Sequence, residues 1–189
     1  MAVHLTKIYT RTGDDGTTGL GDFSRIAKTD PRLVAYADVD EANCAIGVAL
    51  ALGSLPQRLV AVLQQVQNDL FDVGADLCTP IVENPKHPPL RVEESYITRL
   101  EGWCDELNAT LPKLDSFILP GGTPGAALLH TARVVTRRAE RSTWALLTAD
   151  EPRTNALTAR YLNRLSDLLF IASRVANPGG DVLWKPGGP

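Results

Sequence analysis

The sequence predicts an all-α protein in which a five-helix bundle follows an extended glycine-rich N-terminal loop. Apolar residues recur at intervals of three and four along most of the chain, strand-type alternation is scarce, and prolines and glycines separate the periodic segments. The 189 residues are enough for one domain with a substantial core. We expect a loop segment at 1–29, the bundle at 30–177 and a mobile tail at 178–189, in which Trp184 can dock locally.

The loop segment is the first element, and its composition differs from that of the rest of the chain. Between Ile8 and Phe23 the sequence TRTGDDGTTGLGD combines glycines, threonines and the positive charge of Arg11. Glycines let backbone amides approach a ligand closely and threonines add hydroxyl donors, so the segment favours a cradle for a polyphosphate. The spacing is not that of a P-loop, which requires Gly-x-x-x-x-Gly-Lys-Ser/Thr. A solvated cluster of turns is the alternative interpretation.

Caps and helix breakers predict the bounds of the five helices. Asp30 and Thr123 are favourable N-caps, and the proline after each of them suits a first helical turn. The second helix carries an apolar stripe from Leu59 to Leu77. In chain order, the predicted helices are 31 to about 52, 56 to 79, about 93 to 111, 124 to about 147, and from after Pro152 to about 176. The expected core-facing row of the fourth helix is Leu128, Ala132, Val135, Ala139, Ser142 and Leu146.

The fourth helix also carries an unusual row of like charges. Arg133, Arg137 and Arg141 repeat at spacing i, i+4, so their charges stack along one line. The repulsion costs a few tenths of a kcal/mol per pair, and Glu140 neutralises only part of it. An anionic ligand or a carboxylate would compensate for the rest, whereas an exposed basic helix face is the alternative.

Acidic and amide side chains in the first and fifth helices need partners. In the first helix, Asp38, Asp40 and Glu41 lie in a segment otherwise built for burial, followed by Asn43. Arg133 is the natural candidate to pair with these acids, either within one subunit or across an interface.

In the fifth helix, Asn163 and Asp167 lie one turn apart among apolar neighbours. We expect them to form hydrogen bonds between helices, and we expect Asp167 to pair with a nearby arginine. Phe117, which precedes the fourth helix, is interpreted from its residue type as a core aromatic.

Charge and cysteine content exclude several classes of protein. A formal net charge of -3 argues against a general nucleic-acid or anionic-membrane surface, although it allows one local basic pocket. Cys44, Cys78 and Cys104 are isolated, and the three histidines are scattered, so neither a disulfide framework nor a protein-held metal site is expected. The chain has no apolar signal segment and no run near the roughly 20 apolar residues of a membrane span. A reducing cytoplasm fits these features.

Five motifs in order carry a family resemblance. They are TRTGDDGTT, then Asp-Glu-x-Asn in the first helix, then FILPGG, ARVVTRRAER and NRLSDLLF. This series resembles the PduO-type ATP:cob(I)alamin adenosyltransferases, also called corrinoid adenosyltransferases, over about residues 8 to 176. The resemblance implies a five-helix bundle that assembles as a homotrimer, with ATP held between adjacent subunits by the N-terminal loop and the fourth helix.

The resemblance also implies roles for individual residues. The implied ATP-binding residues are Thr10, Arg11, Thr12, Gly13, Thr18, Gly19 and Lys28 in the loop segment, Arg137, Arg138, Glu140 and Arg141 in the fourth helix, and Asn163 in the fifth. The implied catalytic residues are Arg137, the subunit-bridging pair Asp40 and Arg133, and Phe117, which excludes the lower axial ligand of the corrinoid. Many members of the family have lysine where this chain has Asp15, so we assign no phosphate contact to that position.

The implied reaction is attack of the cobalt of cob(I)alamin on C5′ of ATP, which yields adenosylcobalamin and triphosphate. Such a reaction requires alignment of its reactants and stabilisation of the leaving triphosphate, here by Arg11, Lys28, Arg137 and a magnesium ion held mainly through the phosphates. Cob(II)alamin accepts an electron more easily once its lower ligand is removed, which is the task implied for Phe117. A reductase and an adenosylcobalamin-dependent acceptor enzyme are candidate partners.

Two alternative functions fit the same residue types. An ATP-dependent phosphotransferase would also use a glycine-rich loop and arginines, but it would release ADP. A non-catalytic corrinoid carrier or nucleotide-binding bundle would bind its ligands without forming a cobalt–carbon bond.

Overall fold

The structure, a computed structural model, describes residues 8–85 and 87–188. Within these residues the chain forms five α-helices: α1 Pro31–Leu52, α2 Gln57–Cys78, α3 Glu94–Asn108, α4 Pro124–Asp150 and α5 Leu157–Val175. The predicted all-α bundle is therefore confirmed. Residues 1–7 of the predicted loop segment lie outside the described residues. The rest of that segment contains a short antiparallel hairpin of two strands, β1 Thr17–Gly19 and β2 Arg25–Ala27.

The predicted caps form at the starts of α1 and α4. The Asp30 carboxylate accepts a hydrogen bond from the backbone amide of Arg32 at 2.8 Å, and the Thr123 hydroxyl accepts one from Ala126 at 3.1 Å. Helix α4 continues to Asp150, three residues beyond its predicted end, because no helix breaker occurs before Pro152.

The buried row of α4 is partly different from the predicted one. Three predicted positions are buried, namely Ala132, Ala139 and Leu146, whereas three others are only partly buried, namely Leu128, Val135 and Ser142. The row is completed by Leu129, Thr136 and Thr143. The two threonines donate hydrogen bonds to the carbonyls of Ala132 and Ala139, which satisfies their hydroxyls inside the core. A prediction based on apolar residues alone overlooks threonines of this kind.

Successive helices run in opposite directions, so the start of one helix lies at the same end of the bundle as the end of the helix before it. Helix α1 packs between α2 and α4, and α5 packs between α4 and α3. At one end, which we call the loop end, Arg32 of α1 donates to Leu77 O, to Asp150 and to Thr154. The hairpin is attached to this end, because the amide of Gly21 donates to the carbonyl of Cys78 at 3.0 Å.

The opposite end, which we call the tail end, carries the C-terminal residues. Ile118 and Leu183 form an antiparallel bridge, so the tail that was predicted to be mobile lies along the segment before α4. Trp184 docks there through its backbone amide, which donates to Phe117 O at 2.7 Å. Among the described residues, no helix has both the length and the apolar composition required to cross a membrane.

Candidate active site

The glycine-rich loop is held in shape by an acid and an arginine within the hairpin. The Asp15 carboxylate accepts hydrogen bonds from the amide and the hydroxyl of Thr17, at 3.0 and 2.7 Å, and these bonds lower the pKa of Asp15. The guanidinium of Arg25 donates to Thr17 Oγ1 and to the carbonyl of Thr12. Asp15 therefore organises the loop, and so does Arg25, a residue that sequence reasoning missed because only the hairpin, in which Arg25 lies opposite Gly19, brings its side chain to Thr17.

Lys28 is brought against the loop although it lies 15 residues beyond Gly13. Its backbone amide donates to Gly16 O at 2.9 Å. A Cβ atom added at Gly13 would lie 3.1 Å from the Lys28 ammonium nitrogen, so the missing side chain makes room for this cation. Arg11 is also exposed, and its guanidinium lies 5.7 Å from the centre of the Tyr9 ring. Two cations thus lie beside the hydroxyl and amide donors of the loop.

The loop continues into a groove between α1 and α2. The hydroxyl of Thr18, a predicted ATP contact, is hydrogen-bonded to Tyr36, whose pKa is raised mainly by burial. The groove has a volume of about 480 Å³, and Asp40 and the exposed ring of Phe71 line it. Asp40 is exposed, and within residues 8–85 and 87–188 it forms no ion pair. The loop, Tyr36 and Asp40 form one surface, which we call the loop half of the site.

The arginine row lies along α4. Arg137 and Arg141 are exposed, and neither makes a hydrogen bond or an ion pair within the part of the chain that the structure describes. Arg133 is half-buried, and its Nε has no hydrogen-bond acceptor among the described residues. Burial lowers the pKa of Arg133, and the charge of Arg137 lowers it further. Among residues 8–85 and 87–188, no acid forms an ion pair with any of these three cations.

Two predicted nucleotide contacts from different helices meet beside this row. Asn163 of α5 donates to the Glu140 carboxylate of α4 at 3.0 Å. Arg164 donates to the Asn163 side-chain oxygen at 2.6 Å and to Glu101 of α3 at 2.8 Å. Arg164 thereby fixes the orientation of the Asn163 amide, a role that sequence reasoning did not assign. The arginine row with Glu140 and Asn163 forms the α4 half of the site.

The acids of α1 find partners other than the predicted one. Arg138 forms an ion pair with Glu41 and lies 3.8 Å from Asp38. The Ser142 hydroxyl donates a further hydrogen bond to Asp38. The intrachain pairing with Arg133 is therefore wrong for these two acids, because α4 turns Arg138 rather than Arg133 toward α1. Arg138, a predicted nucleotide contact, has its guanidinium engaged between α1 and α4.

The expected ion pair of Asp167 does not form. Asp167 is exposed and has no ion-pair partner in the described part of the chain, because the nearest arginine, Arg164, binds Glu101. Although much of its side chain is exposed, partial desolvation of the carboxyl group raises the pKa of Asp167, while Arg164 and Arg137 oppose the shift.

Phe117 is a surface residue, so the interpretation as a core aromatic is wrong. Its side chain is 78% exposed, and its ring centre lies 6.1 Å from that of Trp184. The two rings border a cavity of about 620 Å³ at the tail end, which Leu114 and Phe170 also line. An exposed aromatic pair beside a cavity of this size fits a large, flat, apolar ligand.

The two halves of the site lie on different sides of the bundle. The loop packs on the α1 and α2 side at the loop end, whereas Glu140 and Asn163 place the arginine row on the side of α4 that faces α5. Arg137 is 13 residues from the last residue of α4, which corresponds to about 20 Å along the helix axis. The loop cations and the arginine row therefore do not converge on one ligand within a single chain.

No protein cage for a metal ion occurs in the described residues. Among residues 8–85 and 87–188, no three histidine, cysteine, aspartate or glutamate side chains cluster in a way that could hold one. The loop acid Asp15 is already engaged by Thr17 and Arg25.

Known proteins match this chain over almost its whole length. A family model for cobalamin adenosyltransferase matches residues 8–176. A corrinoid adenosyltransferase of Mycobacterium tuberculosis strain H37Rv is 72% identical over 188 residues, covering 100% of this chain and 97% of the relative. One from Mycobacterium leprae is 66% identical over 191 residues, covering 100% of both chains.

A solved structure has the same fold. It is a variant of the PduO-type ATP:corrinoid adenosyltransferase from Lactobacillus reuteri complexed with cobalamin and ATP. Its TM-score is 0.88 at 38% sequence identity, and the match covers 95% of this chain and 97% of that chain. The residues matched by the family model include the loop from Ile8 and all five helices.

Proposed function

This chain belongs to the cobalamin adenosyltransferase family, and we propose that its loop and its α4 arginine row together bind the triphosphate of ATP during adenosyl transfer. The reaction transfers the 5′-deoxyadenosyl group of ATP to the cobalt of a corrinoid. Cob(I)alamin supplies an electron pair to C5′, the C5′–O bond breaks, and triphosphate leaves with that bonding pair. The products are adenosylcobalamin and triphosphate.

The unpaired arginine row is the observation that carries this proposal. Arg137 and Arg141 are exposed cations at helical spacing with no counter-ion within the described chain, so they are available to an anion. Charge on the triphosphate grows as the C5′–O bond breaks, and fixed cations stabilise that charge without reorganising. Arg11 and Lys28 add positive charge from the loop half. No general base is needed, because cobalt is itself the nucleophile.

We propose that the ATP site is completed by two subunits of a homotrimer. The separation of the two halves supports this assembly, because a neighbouring copy can bring its arginine row to the loop of the first. Asp40 and Arg133 support it as well: each lacks an ion-pair partner in the described chain, one on each half. Their pairing across the interface would satisfy the buried Arg133 Nε and fix the orientation of the two halves.

The remaining nucleotide residues are proposed to bind or to support these groups. Thr10, Thr12, Gly13, Thr18 and Gly19 supply hydroxyls and close backbone approach in the loop. Glu140 and Asn163, already hydrogen-bonded to each other, present carboxylate and amide groups suited to hydroxyl or base edges of the nucleotide. Arg138 contributes by holding α4 against α1 through Glu41. A magnesium ion held through the phosphates would neutralise part of the charge on the leaving triphosphate.

Phe117 is proposed to act on the lower face of the corrinoid. The exposed Phe117 ring lies beside a cavity of about 620 Å³ whose lining is mostly apolar apart from Asp115 and Ser116, so the ring can occupy the place of a lower ligand of cobalt. Removal of the lower ligand would make cob(II)alamin easier to reduce. A reductase that supplies this electron and an enzyme that receives adenosylcobalamin are proposed partners. The three cysteines are free thiols, which supports a reducing, cytoplasmic location.

The test is a product analysis with ATP, magnesium and chemically reduced cobalamin. We expect the corrinoid spectrum to change from cob(I)alamin to adenosylcobalamin, with one triphosphate released per cobalt–carbon bond. Release of ADP would instead indicate a phosphotransferase, and binding of both ligands without a spectral change would indicate a carrier or a nucleotide-binding bundle. Either result would overturn the proposal.

A further inference from the structure

The ring of Phe117 is positioned mainly by backbone pairing with the C-terminal tail. Leu119 N donates to Val182 O at 2.8 Å, and Trp184 N donates to Phe117 O at 2.7 Å. The Ser116 hydroxyl donates to Trp184 O at 2.9 Å. Because the Phe117 side chain is 78% exposed, little side-chain packing holds it, and its position depends on these two paired segments. We call residues 116–119 and 182–184 the aromatic platform.

One buried arginine at the C-terminal end of α5, Arg174, binds the chain just before each of the two segments of this platform. Arg174 Nε donates to the Asp181 carboxylate at 2.8 Å, and Arg174 Nη2 donates to the carbonyl of Pro112 at 2.8 Å. Pro112 lies five residues before Phe117, and Asp181 lies three residues before Trp184. A single planar guanidinium thus fixes the spacing of the two segments where they leave the bundle.

The ion pair between Arg174 and Asp181 is buried, so the loss of one of its charges is costly. The side chains of Arg174 and Asp181 are only 4% and 14% exposed. Loss of the Asp181 charge would leave a desolvated guanidinium without its counter-ion, which is much less favourable than loss of a surface ion pair. The tail beyond α5 contains four glycines. Its first residues are also held by hydrogen bonds of Thr123 to Ala176 and Asn177, but those bonds precede Asp181, so the pairing of residues 182–184 with residues 116–119 would weaken.

We propose that Arg174, acting through Asp181, is a positioning residue for the activation of cob(II)alamin, because it fixes the aromatic platform that presents Phe117 to the corrinoid. This inference rests on the proposed role of Phe117. It assigns to Arg174 no contact with ATP or with the corrinoid. A step that starts from cob(I)alamin, which has already lost its lower ligand, does not need the platform to the same extent.

The test is Asp181→Asn, which keeps the shape of the side chain and removes its charge. With cob(II)alamin and a reductant, we expect the rate of adenosylation to fall about tenfold or more, because small displacements of an aligning group have effects of this size. The electron paramagnetic resonance signal of four-coordinate cob(II)alamin should decrease in parallel. With chemically prepared cob(I)alamin the rate should stay within about twofold of wild type, and the Kd for ATP should not change. Asp181→Glu, which retains the charge, should restore most of the four-coordinate signal.

Glu94→Gln is the matched control. It removes the carboxylate partner of Arg160, another α5 arginine, whose ion pair of 2.8 Å lies at the loop end of the helix. We expect normal rates with both forms of cobalamin.

Three outcomes would be decisive against one proposal or the other. Equal loss of rate with cob(I)alamin and cob(II)alamin in Asp181→Asn, together with a lower melting temperature, would overturn the positioning role in favour of a purely structural one. An unchanged rate with cob(II)alamin would overturn it as well. If Phe117→Ala keeps its full rate with cob(II)alamin, the proposed role of Phe117 itself is wrong, whatever Asp181→Asn does.

Discussion

Arg137 and Arg138 are neighbours in the sequence, yet they lie on different faces of α4 and meet different surroundings. Arg138 is ion-paired with Glu41 of α1, whereas Arg137 is exposed and has no counter-ion within the described chain. An arginine paired within its own chain contributes to packing between helices. An arginine that is repelled by neighbouring arginines and has no ion-pair partner is costly to the fold, so its presence indicates a ligand or another subunit.

The comparison extends to the two faces as wholes. On the free face, the row of Arg133, Arg137 and Arg141 runs beside the hydrogen bond between Glu140 and Asn163. On the paired face, Arg138 pairs with Glu41 and Ser142 donates to Asp38, both on α1. If this distinction is correct, variants of the free face should change catalysis, and variants of the paired face should change stability.

The largest effect is expected for Arg137→Ala. Arg137 is proposed to bind the leaving triphosphate, whose negative charge grows in the transition state. Removal of this fixed cation should therefore lower kcat with cob(I)alamin by about 10²-fold or more. The melting temperature should stay close to that of wild type, since Arg137 is exposed and forms no ion pair within the described chain. The kcat of Arg137→Lys should lie between those of wild type and Arg137→Ala, because lysine keeps the charge but lacks the planar guanidinium. If Arg137→Ala forms adenosylcobalamin as fast as wild type, Arg137 and the free face have no role in catalysis.

A mixing experiment sharpens the comparison by asking which subunit the free face serves. Lys28→Ala damages the loop half, and Arg137→Ala damages the α4 half, so each variant alone should be poorly active in the proposed homotrimer. In randomly mixed trimers about a quarter of the sites would combine an intact loop with an intact arginine row from the neighbour. We expect activity to rise toward that fraction after the two variants are unfolded and refolded together. Mixed trimers that are no more active than their parents would place both halves in one subunit.

The number and order of the helices follow from local sequence signals, but the division between the two faces does not. Asp30, Thr123 and the prolines after them act within a few residues, so the starts of α1 and α4 can be predicted. The partner of Arg138 depends on how α1 packs on α4, which sets the rotation of each helix only after the core has formed. For this reason local sequence signals do not predict that Arg138, rather than Arg133, pairs with Glu41 within one chain.

Phe117 shows the same limit of local reasoning at the tail end. Its residue type indicates burial, but its position depends on the bridge between the next residue, Ile118, and the distant Leu183, and on the bond that Trp184 N donates to Phe117 O. Residue type alone therefore did not indicate the exposure of Phe117, and the role that the motif resemblance implies for it stays a prediction. Roles that depend on long-range pairing therefore require the structure or a relative.

A smaller effect is expected on the paired face. Arg138→Ala and Glu41→Gln should each lower the melting temperature slightly, and the double variant should lower it by less than the sum, because both remove the same exposed ion pair. The KM for ATP should change by less than about threefold, unlike the effect of Arg137→Ala. If Arg138→Ala weakens ATP binding as strongly as Arg137→Ala does, the two faces are not distinct.

The smallest effect concerns Asp167, an acid that lies near Arg137 and remains unpaired in the described chain. Burial raises its pKa above the value of about 3.9 expected in the unfolded chain, so the folded state holds the proton more tightly. The stability that Asp167 contributes is therefore fully present below about pH 3.9 and is lost as the pH rises through the folded-state pKa. Asp167→Asn, which stays neutral, should unfold at a higher temperature than wild type near pH 7. This difference should shrink toward zero as the pH falls below about 4, and a difference that is independent of pH would mean that it does not arise from the ionisation of Asp167.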